Sequence, residues 1–151
     1  MKVLAIDPGG VHCGMAYFED NDDGEPTCVR AWEETPDGCT DQIVDWLLDG
    51  IDAIVVEEFR LYPWAAEQQS FKTFPEVEVI GVIKWLHRTM AEENGSQCRL
   101  VMQQASIKEP TTKILRHKKI KSLAKAVGAG GHAKDAELHG WHHILKNQEN
   151  K

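Results

Sequence analysis

Two apolar runs that each end on a carboxylate constrain this 151-residue chain more than any other feature of its sequence. Val3-Leu4-Ala5-Ile6 leads into Asp7, and the run from Ile51 to Val56 leads into Glu57-Glu58. Short, strongly apolar runs read as strands buried on both faces, the centre of a sheet with helices packed over it. Pro8 cannot donate to a ladder, so the first strand stops at Asp7, and Gly9-Gly10 let the backbone turn tightly. If the two strands are adjacent and parallel, Asp7 and Glu57 leave the same end of the sheet side by side. Glu57 is the partner rather than Glu58, because it directly ends the run and Glu58 points to the other face.

The rest of the chain dresses these two strands. Gly14 to Phe18 and Thr27 to Trp32 read as second and third strands, the first two strands forming a hairpin. A helix is expected to start near Thr40-Asp41, carry Ile43, Trp46 and Leu47 on one face, and end at Gly50. Residues 59–74 look irregular, with Phe59, Tyr62, Trp64, Phe71 and Phe74 among Arg60 and Lys72. A long helix from Pro75 to Asn94 follows, with Val79, Val82, Ile83, Leu86 and Met90 at helical spacing, then a fifth strand from Arg99 to Met102. Two short helical pieces, a break at Gly128-Ala129-Gly130-Gly131 and a last helix from Ala133 to Asn147 complete the chain. Trp141 and Ile144 are its expected buried face. Three strands, then alternating helices and strands, define an α/β fold with a mixed sheet in a single domain spanning residues 1–151.

No apolar run is long enough to span a bilayer, and no signal-peptide pattern opens the chain. Cys13, Cys28, Cys39 and Cys98 have neither metal-ligand nor redox-pair spacing, so reduced thiols and a cytoplasmic location are expected. The net charge of −7 conceals an uneven distribution. Residues 1–107 hold seven Lys/Arg against twenty Asp/Glu, whereas residues 108–125 hold Lys108, Lys113, Arg116, Lys118, Lys119, Lys121 and Lys125 against Glu109 alone. A concentrated basic segment on an acidic protein is a local footprint for nucleic acid. The competing reading is a solvated helix face.

Two adjacent carboxylates repel each other unless a cation lies between them. Oxygen-only ligands at a strand end suit Mg²⁺ or Mn²⁺. Asp135, on the first turns of the last helix, is the natural third ligand, and His132, three residues before it, shares its side if the helix has begun by then. Asp, Glu, His and Asp around two cations is an arrangement that hydrolyses phosphodiesters. His139, His142 and His143 have no zinc-ligand pattern, although His139 lies one turn past Asp135 and within reach of the site.

Ile6-Asp7-Pro8-Gly9, Cys13-Gly14-Met15-Ala16, Val55-Val56-Glu57-Glu58 and His132-Ala133-Lys134-Asp135-Ala136 together resemble the RuvC-like Holliday junction resolvases of the RNase H-like superfamily, over nearly the whole chain. The resemblance implies an RNase H-like fold with a five-stranded mixed sheet flanked by helices. It also implies a homodimer that nicks branched DNA, such as a four-way junction, with two Mg²⁺ or Mn²⁺ ions per active site. On this basis Asp7, Glu57, His132 and Asp135 are the catalytic and metal-holding residues. The aromatic that members wedge into the junction falls near Phe59 and Tyr62, with Arg60 beside them. A general RNase H-like nuclease acting on RNA–DNA hybrids, flaps or ends, and a catalytically silent nucleic-acid-binding module, remain as alternatives.

Overall fold

The computed structural model describes residues 1–60 and 73–149. Its elements, in order, are β1 (Lys2–Asp7), β2 (Cys13–Asp20), β3 (Pro26–Glu34), α1 (Pro36–Leu48), β4 (Ala53–Glu58), α2 (Pro75–Asn94), β5 (Arg99–Gln104), a 3₁₀ turn (Ala105–Ile107), α3 (Lys108–His117), α4 (Leu123–Ala126) and α5 (Gly131–Glu149). The five strands form one mixed sheet in the order β3-β2-β1-β4-β5. β1 is antiparallel to β2 and parallel to β4, and β5 is parallel to β4. The two apolar runs thus lie side by side at the centre, as their composition requires. With Ile6 opposite Val56, Asp7 and Glu57 leave the sheet at the same end.

Alternation along the strands sorts two cores. Leu4, Ile6, Met15, Tyr17, Ile54 and Val56 face Ile43 and Leu47 of α1 and Val79, Ile80 and Ile83 of α2. Val3, Ala5, Ala16, Phe18, Ala53 and Val55 face Ala133, Ala136, Trp141 and Ile144 of α5. Because side chains alternate with a period of two, Asp7 and Glu57 share the α5 face, and Glu58 turns toward α2.

Several boundaries and one face differ from the sequence reading. α1 begins at Pro36 rather than near Thr40, because Thr35 Oγ1 accepts from Gly38 N at 3.1 Å and Pro36 fits the first turn. Strand β5 runs on to Gln104, paired with Glu58, and β3 to Glu34. Val82 is 40% exposed rather than buried, since the inward stripe of α2 is Val79, Ile80, Ile83 and Met90. Helix α5 starts at Gly131, which places His132 inside its first turn.

Close approach of α5 to β2 depends on two glycines. A Cβ on Gly14 would lie 2.0 Å from the backbone carbonyl of His132, and one on Gly140 would lie 2.1 Å from the ring of Phe18. Phe18 is wholly buried against Trp141, edge to face at 5.3 Å. The clash at Gly14 is with backbone, which cannot rotate aside. Gly14→Ala is expected to cost about 2–3 kcal/mol, a Tm fall of roughly 4–12 °C by calorimetry. A variant as stable as the parent would show that the helix start can shift freely.

Candidate active site

Asp7 stands at the last position of β1, only 6% exposed, where the core closes over it. Glu57 extends the inward row of β4 one step past Val55. Asp135 comes from the second turn of α5, whose start is fastened by Glu33: its Oε1 accepts from His132 N at 3.0 Å. Among the described residues, ligand oxygens of Asp7, Glu57 and Asp135 all lie within 4.8 Å of one another.

Three cationic or protonatable groups fill the space around them. Lys108 Nζ lies 2.7 Å from Glu57 Oε2 and 2.6 Å from Asp135 Oδ2, bridging the two acids. His132 Nδ1 lies 2.7 Å from Asp7 Oδ2. His139, fully buried, donates from Nε2 to Glu57 Oε2 at 3.0 Å, while its Nδ1 lies 2.9 Å from the Gln103 side-chain amide oxygen. His132, Asp135 and His139 share one side of α5, at the three- and four-residue spacing of a helix.

The two central acids titrate apart. Burial pushes the Asp7 carboxyl up, and the neighbouring Glu57 adds to the rise against the pull of His132 and Lys108. Burial acts to raise Glu57 as well, but its hydrogen bonds with His139, Asp7 and Lys108 outweigh that and hold it below the usual carboxylate range. Lys108 loses solvation, yet Asp135 and Glu57 raise its pKa above the ordinary lysine value. His132, whose burial alone would lower it, is raised by Asp7. Two close carboxylates therefore share a proton, as like charges in a poorly solvated place must.

A cleft of about 210 Å³ opens beside Asp7 and Glu57, lined also by Phe59, Arg60 and Glu76. Three converging oxygen donors, two of them lining the cleft, with Lys108 already supplying positive charge between Glu57 and Asp135, fit a hard divalent cation. Asp7, Glu57 and Asp135 are the side chains that would hold it.

Several residues named from sequence have other surroundings than expected. Lys108, which its place in the basic segment sets among the phosphate-facing lysines, turns instead into the carboxylate cluster. His132 contacts Asp7 and is not part of the group of converging ligand atoms. Lys113 pairs with Glu109 on an exposed helix face at 2.7 Å. Arg116, Lys118, Lys119, Lys121 and Lys125 make no ion pair with any carboxylate among the described residues. Phe59 packs on Phe74 with ring centroids 5.1 Å apart, and Arg60 pairs with Glu58 at 3.1 Å. Tyr62 lies outside the described residues.

His139 reaches the site as its spacing predicts, and Gln103 and Glu33 join it without a sequence signal. His139 carried a signal in its spacing from Asp135. Glu33 and Gln103 carried none, since each reaches the site through a strand pairing or a cap that only the assembled sheet provides.

A five-stranded mixed sheet in the order β3-β2-β1-β4-β5, with helices on both faces, is the RNase H-like fold of the RuvC-type resolvases. No family model matches the chain, and no curated protein matches its sequence. Solved structures match its fold over almost its whole length. Thermus thermophilus RuvC is 14% identical with a TM-score of 0.64, covering 99% of this chain and 97% of that one. The Fowlpox virus resolvase, in complex with Holliday junction DNA, is 12% identical with a TM-score of 0.56, covering 99% and 98%. The yeast mitochondrial Holliday junction resolvase is 14% identical with a TM-score of 0.58, covering 98% and 81%.

Proposed function

We propose that this protein is a structure-selective DNA endonuclease that resolves Holliday junctions or similar branched DNA with the aid of Mg²⁺ or Mn²⁺. The observation that carries the reading is the convergence of Asp7, Glu57 and Asp135, from three distant segments, at one end of a sheet folded as in the resolvases. Asp7, Glu57 and Asp135 would hold the divalent cations, whose chemistry would be to lower the pKa of a bound water and to offset charge on the phosphate. The chain's own residues prepare that chemistry. Asp7, Glu57 and Asp135 present the oxygens, His132 orients Asp7, and His139 with Gln103 behind it fixes Glu57. Such outer-layer hydrogen bonds set the direction of the ligand oxygens. Arg116, Lys118, Lys119, Lys121 and Lys125 are the candidates for phosphate contacts, with Phe59 and Arg60 at the cleft as the candidates beside the bases.

The reading is tested by incubating the protein with a synthetic four-way DNA junction, a linear duplex and an RNA–DNA hybrid, each with Mn²⁺ and with EDTA. Paired nicks in the junction, only with Mn²⁺, are expected. Preferential cutting of the hybrid would move the protein to the general RNase H-like nucleases, and no cutting of any substrate would leave a silent binding module.

Resolution of a junction needs two active sites, and the outward side of α2 offers a surface for a second copy. Val77, Val82 and Trp85 are 48%, 40% and 55% exposed, and among the described residues nothing lies within 4 Å of where a Gly81 Cβ would be. Apolar side chains flanking a glycine on one helix side let two helices approach closely. Trp85→Glu is expected to convert a dimer to a monomer in sedimentation experiments and to replace paired nicks by single ones. A parent protein that sediments as a monomer would remove the homodimer.

A further inference from the structure

Glu137 lies two residues past Asp135 on α5, is 1% exposed, and takes no part in the carboxylate cluster. Its two oxygens accept three hydrogen bonds, all from the start of α4. Ser122 Oγ and Ala124 N donate to Oε2 at 2.6 and 3.0 Å, and Leu123 N donates to Oε1 at 2.9 Å. A carboxylate so deeply buried is costly unless donors surround it, and here one short segment supplies them. Ser122 Oγ in turn accepts from Lys125 N at 3.1 Å, which ties the α4 turn to the same point.

The other end of this segment is also held. Lys119 has φ of 58°, the left-handed region that favours glycine, as α3 ends with Ile120 N donating to Leu115 O at 2.9 Å. A lysine there is strained unless its surroundings impose the conformation. Lys118, Lys119 and Lys121 thus sit on a turn fixed at both ends, with Lys125 just beyond it. None of the four has an acidic partner among the described residues. A merely solvated basic face would need neither the strained turn nor the buried anchor.

We propose that Glu137 is a positioning residue for nucleic-acid binding: its buried carboxylate clasps the Ser122–Ala124 segment and so fixes the lysines of the 118–125 turn relative to the helix that carries Asp135. This rests on the nuclease reading above. A backbone already held in place leaves only the lysine side chains to be ordered when they meet phosphates, so binding is tighter for the same charge. The clasp and bulk electrostatics predict opposite signs for Glu137→Gln. Removing an anion close to the lysines should tighten DNA binding by charge alone. Loosening the turn should weaken it.

The experiment measures affinity for a synthetic four-way DNA junction in EDTA across a salt series. It compares wild type, E137Q, the triple variant K118A/K119A/K121A, and the two combined. E137Q is expected to bind at least about tenfold more weakly near 100 mM salt and to lower the slope of log affinity against log salt by about one. Added to the triple variant it should cause no further loss, because the lysines it positions are gone. Mn²⁺ affinity, measured by calorimetry without DNA, should stay within about twofold of wild type. Ser122→Ala removes one of the three donors and should give a smaller loss, roughly threefold. It carries the test if E137Q does not fold, and unchanged affinity in S122A would then overturn the clasp. Equal or tighter binding by E137Q, or full additivity with the triple variant, would overturn it too. A triple variant with unchanged affinity and slope would take down the DNA-binding role of the turn together with the clasp. A triple variant that weakens binding beside an unaffected E137Q would sink the clasp alone.

Discussion

Asp7→Asn is expected to lower Mn²⁺-dependent cleavage of a four-way junction at least about 10³-fold, equivalent to about 4 kcal/mol of transition-state stabilisation. The same variant should fold normally, since asparagine keeps the size of the side chain and a carbonyl oxygen for His132. Its metal-free stability gives a second, independent readout. Burial, helped by Glu57, raises the Asp7 pKa to about 7. The folded state therefore holds this proton more tightly than the unfolded chain, in which an aspartate titrates near its ordinary value. The resulting stabilisation is present at low pH and is lost as pH rises through about 7. At pH 8 the wild type bears a buried, poorly solvated carboxylate and the variant does not. In EDTA, D7N should melt at or above the wild-type temperature at pH 8, with the gap closing or reversing by pH 5. Cleavage within tenfold of wild type would remove Asp7 from the reaction.

Lys108→Met should destabilise the metal-free protein in a way that the metal itself can reverse. It takes away the ammonium that bridges Glu57 and Asp135 and leaves the two acids facing each other. Breaking a buried pair costs about 3–5 kcal/mol. Asp135 is 39% exposed, and solvent there screens the repulsion, so about 2 kcal/mol is the reasonable figure. That corresponds to a Tm lowered by roughly 4–8 °C in EDTA. Millimolar Mn²⁺ should restore most of the loss, because a cation among the carboxylates replaces the missing charge. Mn²⁺ should also bind the variant about tenfold more tightly, since in the wild type it competes with Lys108 for the same oxygens. Unchanged Mn²⁺ affinity together with an unchanged Tm would mean that the ammonium and the cation do not share a place.

Strand pattern made the centre of the fold legible. Val3–Ile6 and Ile51–Val56 could be buried only in the middle of a sheet, and the period of two then put Asp7 and Glu57 on one face and Glu58 on the other. The spacing of Asp135 and His139 likewise set them on one side of a helix, whereas His132 joined them only because the helix starts at Gly131, ahead of the start expected at Ala133. These were local facts, written in the order of apolar and acidic residues along a few positions.

Only the tertiary structure decided what meets those residues. Lys108 and Asp135 are 27 positions apart, Asp7 and His132 are 125 apart, and Glu33 and His132 are 99 apart. Nothing near Lys108 in sequence distinguishes it from Lys113 or Lys118. A lysine has four rotatable bonds, and its direction follows from whichever charge the fold brings within reach, here Glu57 and Asp135 rather than solvent. Glu137 shows the same dependence. Read locally it is an ordinary helix acid, and it became a buried clasp because α4 packs its first amides against that point of α5. Composition and periodicity determine which groups must be hidden and which strands lie at the centre. The partners of the hidden charges are chosen by long-range packing, since the cost of burying an unpaired charge is met only once the whole fold is assembled.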